Sequence, residues 1–113
     1  MEKRIGKIES VKFGHVGYND AELGIQFTFS SKKDNWGVGW CKAYWDAEMI
    51  KHDKNCQWTE FDRDNGYAEV MKYISKLLKQ AKISDFTQLK NIPVEVTFEG
   101  NCLTDWRILE EVL

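Results

Sequence analysis

The clearest pattern of apolar and polar positions runs from Ala21 to Trp45. Leu23, Ile25, Phe27 and Phe29 alternate with Gly24, Gln26, Thr28 and Ser30. Further on, Trp36, Val38, Trp40 and Tyr44 alternate with Gly37, Gly39, Cys41 and Ala43. A period of two sends side chains to opposite faces of a sheet, so both runs read as strands, over 22–30 and 36–45. The polar stretch between them reads as a hairpin turn. The second run has bulk on one face and almost nothing on the other. Such a bare face lets a helix, another backbone or a ligand come close.

Residues 3–13 read as a first strand in which Ile5, Ile8, Val11 and Phe13 break strict alternation. That phase slip predicts a bulge near Gly6 or Glu9. The segment from Gly14 to Asp20 reads as a loop on its Gly, Asn and Asp content. Within 46–58, residues 46–51 fit a short helical turn and 52–55 a charged loop. Thr59 then caps a helix over 60–82, with Asp62 completing an Asp variant of the capping box. Glu60, Asp62 and Asp64 suit its positive end; Lys76, Lys79 and Lys82 suit the negative end. Phe61, Ala68, Met71, Ile74, Leu78 and Ala81 keep helical spacing, widened by Tyr67, Val70 and Leu77. Gly66 costs such a helix ~1 kcal/mol against Ala, and a kink is expected there. Ser84 caps a short turn through Leu89. Pro93 opens a strand with Val94, Val96 and Phe98 on one face. Gly100-Asn101 turns it into a last strand, 102–109, with Trp106 and Ile108 on one face and Leu103, Asp105 and Arg107 on the other.

The order is β-β-β-α-β-β. It predicts a single α+β domain over residues 1–113. An antiparallel sheet of about five strands carries one main amphipathic helix packed on one face.

Composition narrows the function classes. Five Trp and 13% aromatics mean either a core built on large rings or a surface that binds with them. A net charge of −2 argues against a general nucleic-acid binder. No stretch approaches the ~20 apolar residues of a membrane span. The polar start carries no apolar signal region, so a cytoplasmic location is expected. Three cysteines is an odd count, so Cys41, Cys56 and Cys102 read as free thiols.

Candidate chemistry is sparse. Trp36 and Trp40, around a Gly-Val-Gly step, suit the stacking of flat rings, or else pack on the core face while the glycines accommodate the helix. His15, Tyr18, Asn19 and Asp20 supply donors, acceptors and a titratable imidazole, or else simply make a turn. His52 and Cys56 stand four apart, and Cys41 and Cys102 could complete a zinc set, but the paired short spacings of structural zinc are missing. No phosphate loop, nucleophile elbow or His-Glu-x-x-His motif is present. Lys72, Lys76, Lys79 and Lys82 track down the helix and read as its solvated face, with phosphate contact as the rival reading.

The run Phe13-Gly14-x-x-Gly17-Tyr18-x-Asp20-Ala21, followed by Trp36-Gly37-Val38-Gly39, resembles small accessory proteins of tailed phages and prophages. The stretch Ile92-Pro93-Val94-Glu95-Val96-Thr97-Phe98-Glu99-Gly100-Asn101, with Leu103 and Trp106-Arg107-Ile108-Leu109, resembles the same group. The resemblance implies a phage-derived protein acting in a bacterial host cell, and one that works by binding. The expectation is a non-enzymatic inhibitor or sponge acting on a host defence protein or a nucleotide-like signal. Trp36 and Trp40 would be its anchor rings, and Tyr18, Asn19, Asp20 and His15 its polar contacts. No cofactor or metal is expected, and a homo-oligomer is left open. The rivals are a single-stranded nucleic-acid-binding protein of phage replication and a small Cys- or metal-dependent hydrolase.

Overall fold

The computed structural model describes residues 1–46 and 59–113. The expected turn over 46–51 and loop over 52–55 therefore fall almost wholly outside the described residues.

The strands are β1 (Glu2–Val16), β2 (Glu22–Ser31), β3 (Trp36–Trp45), β4 (Pro93–Glu99) and β5 (Cys102–Ile108), with one helix, α1 (Glu60–Ala81). All pair antiparallel in one five-stranded sheet of order β3-β2-β1-β4-β5, giving a single α+β domain. Among the described residues no helix is long and apolar enough to cross a membrane.

The long strand β1 organises the sheet. Its first half pairs with β4, from Glu2↔Phe98 to Lys7↔Pro93. Its second half pairs with β2, from Lys7↔Ser30 to Val16↔Glu22. The expected bulge lies between Ile8 and Ser10, at Glu9. An extra residue there reverses the facing, so Arg4, Gly6 and Ile8 before it share a face with Val11 and Phe13 after it. The segment expected as a loop from Gly14 is corrected: Gly14, His15 and Val16 continue β1, and only Gly17 to Asp20 turn. Opposite Leu23 and Gly24, those residues gain ladder bonds that composition alone does not reveal.

A second bulge corrects β5. The register shifts so that Thr97 faces Asp105 while Phe98 faces Leu103. Thr104 is left over, and Leu103 moves to the face of Trp106 and Ile108, where it packs against the core.

Helix α1 is capped as expected. Thr59 Oγ1 accepts from the Asp62 N–H at 3.1 Å, and Asp62 Oδ2 accepts from the Thr59 N–H at 3.0 Å. Its inward stripe is centred on Val70, Leu77 and Ala81, while Phe61 and Met71 are exposed. No kink occurs at Gly66; the helix is continuous there. A Cβ at that position would overlap the Tyr44 ring, so glycine lets β3 and α1 approach. The following short 3-10 turn, Phe86–Leu89, is capped by Asp85 rather than Ser84. Asp85 Oδ1 accepts from the Thr87 hydroxyl at 2.5 Å and from the Thr87 N–H at 2.8 Å, and these bonds, the hydroxyl's first, hold its carboxyl below the usual range.

The sheet is strongly curled. Five strands at ~4.8 Å spacing would put the edges of a flat sheet roughly 19 Å apart. Yet Trp40 on β3 and Trp106 on β5 have ring centroids only 5.3 Å apart. Phe27 lies 5.9 Å from Trp40 and 5.7 Å from Trp106, and Phe29 lies 4.8 Å from Trp106. Helix α1 closes this concave face against β3, β2 and β5. The glycines of β3 are not where the helix sits. Gly37 and Gly39 lie on the convex, exposed face, opposite the rings.

Candidate functional site

The β2–β3 hairpin places Trp36. Ser31 Oγ accepts from the Asp34 N–H at 3.2 Å, and Asn35 adopts a left-handed φ of 55°. The chain thus reverses at once, and Trp36 starts β3 opposite Ser31. Its half-buried ring reaches across β2 and lies over Gly6 of β1, where a Cβ would stand 2.7 Å from the ring carbons. It meets the Phe98 ring edge-on at 5.5 Å. The indole N–H is buried without a hydrogen-bond partner among the described residues, as is Ser30 Oγ.

Beside this ring runs an open groove of about 540 Å³, lined by Glu2, Lys3, Arg4, Ile5, Asp34, Asn35 and Trp36. It exists because the β1–β2 ladder begins only at Lys7↔Ser30, so the first residues of β1 outrun β2. The Arg4 guanidinium sits 4.6 Å over the Phe98 ring. It donates from Nε and Nη2 to Glu2 at 3.1 and 3.0 Å. That bond, with the attraction of the two charges, holds the Glu2 carboxyl below the usual range. A second cleft of about 280 Å³, with Glu9, Ser30 and Lys32 on its walls, adjoins at Asn35 and Trp36.

Trp40 is placed differently. Its half-buried ring is engaged by Phe27, Tyr73 and Trp106, with Tyr73 at 5.4 Å. Burial pushes the Tyr73 hydroxyl up to about 12.

His15, Tyr18, Asn19 and Asp20 gather at the other end of β2. His15 Nε2 donates to Asp46 Oδ2 at 2.9 Å. Tyr18–Asp20 form a 3-10 turn with Asn19 and Asp20 at φ of 53° and 54°. Ten residues of β2 separate this end from Trp36, a span of roughly 30 Å at the usual rise per residue. The residues expected to act together thus form two separate places. Signals for the first lay in the opening residues: Glu2 and Arg4 take the period of Gly6 and Ile8, which assigns them to the concave face.

The chemistry of catalysis is thin. Cys41 lies on the convex face opposite Gln26, whereas His15 lies on the concave face opposite Leu23. The sheet stands between them. Burial, then the nearby Glu22 carboxylate, pushes the Cys41 thiol up, away from the reactive thiolate. Cys41 and Cys102 are free thiols on opposite edge strands. Among the described residues no three His, Cys, Asp or Glu side chains gather to hold a metal; His52 and Cys56 lie outside those residues. Lys72, Lys76, Lys79 and Lys82 are all exposed, with Lys72 3.7 Å from Glu69. No protein-family model matches the chain, and no match is found among curated proteins or solved structures.

Proposed function

We propose that this is a non-enzymatic binding protein whose partner occupies the groove beside Trp36. One observation carries the reading: the first residues of β1, the hairpin turn and the Trp36 ring enclose about 540 Å³ of open space with charged and apolar walls. That volume lies in the range of ligand sites. A protein partner is favoured over a nucleotide-like signal. Arg4 is already engaged by Glu2, and the Trp36 ring is spent on Gly6 and Phe98, so neither is free to grip a phosphate or a base. The nucleic-acid reading loses Trp40, whose ring is packed among Phe27, Tyr73 and Trp106. The hydrolase reading gains nothing from Cys41, whose thiol is pushed up, away from the reactive thiolate. On the resemblance to phage accessory proteins, the partner would be a host protein in a bacterial cell, and the outcome inhibition or sequestration.

Affinity capture from bacterial lysate with quantitative mass spectrometry tests this. Asp34→Trp fills the groove from an exposed turn, and Asn19→Gly alters the other end while respecting its left-handed backbone. The partner should be lost by Asp34→Trp and kept by Asn19→Gly. The reverse pattern would move the site to the His15–Asp46 end. A nucleotide found in native mass spectra of the purified protein would replace the protein partner.

A further inference from the structure

We infer that the outer edge of β3 joins a second copy of this chain: two β3 strands pair antiparallel about a two-fold axis at Trp40 and merge two sheets into one. The inference is independent of the groove, which lies on the β1 side of Trp36. Backbone direction comes first. The Asp46 N–H donates to the Ala21 carbonyl at 3.0 Å, so Asp46 turns its N–H towards the β2 side. Antiparallel ladders alternate strictly, and the β2–β3 pairing runs unbroken from Glu22↔Trp45 to Ser31↔Trp36. Tyr44, Lys42, Trp40, Val38 and Trp36 therefore bond to β2, while Gly37, Gly39, Cys41, Ala43 and Trp45 direct their backbone groups outward. The Trp45 carbonyl, so directed, accepts from the Tyr67 hydroxyl at 3.4 Å. The backbone N–H and C=O groups of Gly37, Gly39, Cys41 and Ala43 have no hydrogen-bond partner among the described residues. Unpaired strand edges of this kind accept a further strand.

Natural edges are guarded by proline, charge, a bulge or a cover. Strand β3 has no proline and no bulge, and its one charge, Lys42, lies 5.9 Å over the Tyr73 ring. Among the described residues, a Cβ at Gly37 or Gly39 would meet only β2 atoms, the nearest at 3.8 Å. The other edge, β5, is blunted by its bulge at Thr104 and by Arg107, which is engaged by Glu95 and Glu111. One open edge per chain closes at two copies and does not extend into a filament.

Three features specify a second copy as the guest. The free residues are symmetric about Trp40. Two-fold pairing sets Gly37 against the partner's Ala43 and Gly39 against the partner's Cys41, so every free N–H and C=O is used. In that register Lys42 faces the partner's Val38, and no like charges are opposed. Next, Trp36, Val38, Trp40 and Tyr44 are all only half-buried along the concave row, and an added β3 lays the same apolar row beside it. Finally, the two ends of β3 differ in charge. Exposed Lys32 and Lys33 outweigh Asp34 at the hairpin turn, whereas Asp20, Glu22 and the His15-bound Asp46 gather at the other end. Antiparallel pairing lays each cationic turn against the partner's acidic end. A seam of nine residues is ~30 Å long, small beside a permanent interface, so the dimer should dissociate on dilution.

Sedimentation velocity of the full chain between about 1 µM and about 1 mM should show a monomer passing into a dimer. Gly39→Pro removes an N–H that β2 does not use. Its circular dichroism should match the parent's, while the dimer weakens roughly tenfold or more through a hydrogen bond lost from each copy. Gly39→Ala fits the open space, keeps the N–H and should dimerise like the parent. Crosslinking reads the register, in a chain with Cys56 and Cys102 replaced by Ser. Opposed hydrogen-bonded residues stand ~5.5 Å apart at Cα, within disulfide reach. Under oxidised glutathione Gly39→Cys should therefore form a disulfide with the partner's Cys41, and Gly37→Cys should not. A chain that stays monomeric at about 1 mM overturns the inference. So does a folded Gly39→Pro that dimerises undiminished, or crosslinking through Gly37→Cys in place of Gly39→Cys. Should Gly39→Pro fail to fold, the crosslink decides alone.

Discussion

Gly66 shows how a residue can offend local rules to serve a contact. In an isolated helix, alanine there would gain ~1 kcal/mol. Here the Cβ would enter the space of the Tyr44 ring, so β3 and α1 would have to part. Overpacking of that kind costs about 1–3 kcal/mol, which outweighs the propensity gain. Gly66→Ala should therefore lower stability by up to about 2 kcal/mol in urea melts, and Tyr44→Ala in the same chain should relieve part of the loss. A kink was the natural reading of this glycine from sequence, because the ring that requires it arrives from another element. Tyr73 is a second case of packing acting on one group. Its hydroxyl is raised from 10.0 to about 12, by burial first and then by the charge of Asp105. A raised folded value means the contribution to stability is complete below the unfolded value, near pH 10, and is lost as pH rises towards 12. Ultraviolet titration should show one tyrosine ionising about two pH units late, and Tyr73→Phe should remove that step together with the matching loss of stability.

Elements were legible where the pattern is local. The period-two runs give β2 and β3 to within a residue, and the Thr59 cap gives the start of α1. The cap predicts its own cost: Thr59→Ala removes an acceptor for the Asp62 N–H and should lower stability by ~1 kcal/mol, read as a shifted urea midpoint at constant slope. Facing is harder than existence. The bulge at Glu9 was visible as a phase slip because large apolar residues sit on both sides of it. The bulge at Thr104 was not, because only Leu103 lies beyond it, and a single residue defines no phase. Likewise the inward stripe of α1 falls on Val70 and Leu77 rather than Met71. Apolar residues occur all along that flank, and only the partner surface selects among them.

At the scale of the whole molecule, the curl of the sheet decides what each tryptophan does. The alternation in β3 assigns Trp36 and Trp40 to one face, and that much was readable. What the sequence does not contain is the offset of the two hairpins along β1. That offset leaves Trp36 beside a groove at one end and brings Trp40 against Trp106 from the opposite edge. It also sets Trp36 and the turn bearing Tyr18, Asn19 and Asp20 at opposite ends of β2. Different outcomes follow for the two rings. Trp40 joins β3, β2, β5 and α1 through Phe27, Trp106 and Tyr73. Removing it opens a cavity where both sheet edges meet; a fully buried aromatic would cost about 3–5 kcal/mol, and this half-buried ring should cost up to about 3 kcal/mol. Against a total stability of about 5–15 kcal/mol, Trp40→Ala should unfold at much lower urea, with loss of near-ultraviolet circular dichroism. Trp106→Ala should behave alike, because it removes the other half of the same contact. Trp36→Ala should remain folded at a smaller cost, since its ring borders solvent along the groove, and it should lose partner capture instead. A Trp40→Ala chain as stable as the parent would mean that the edges are not held together by these rings.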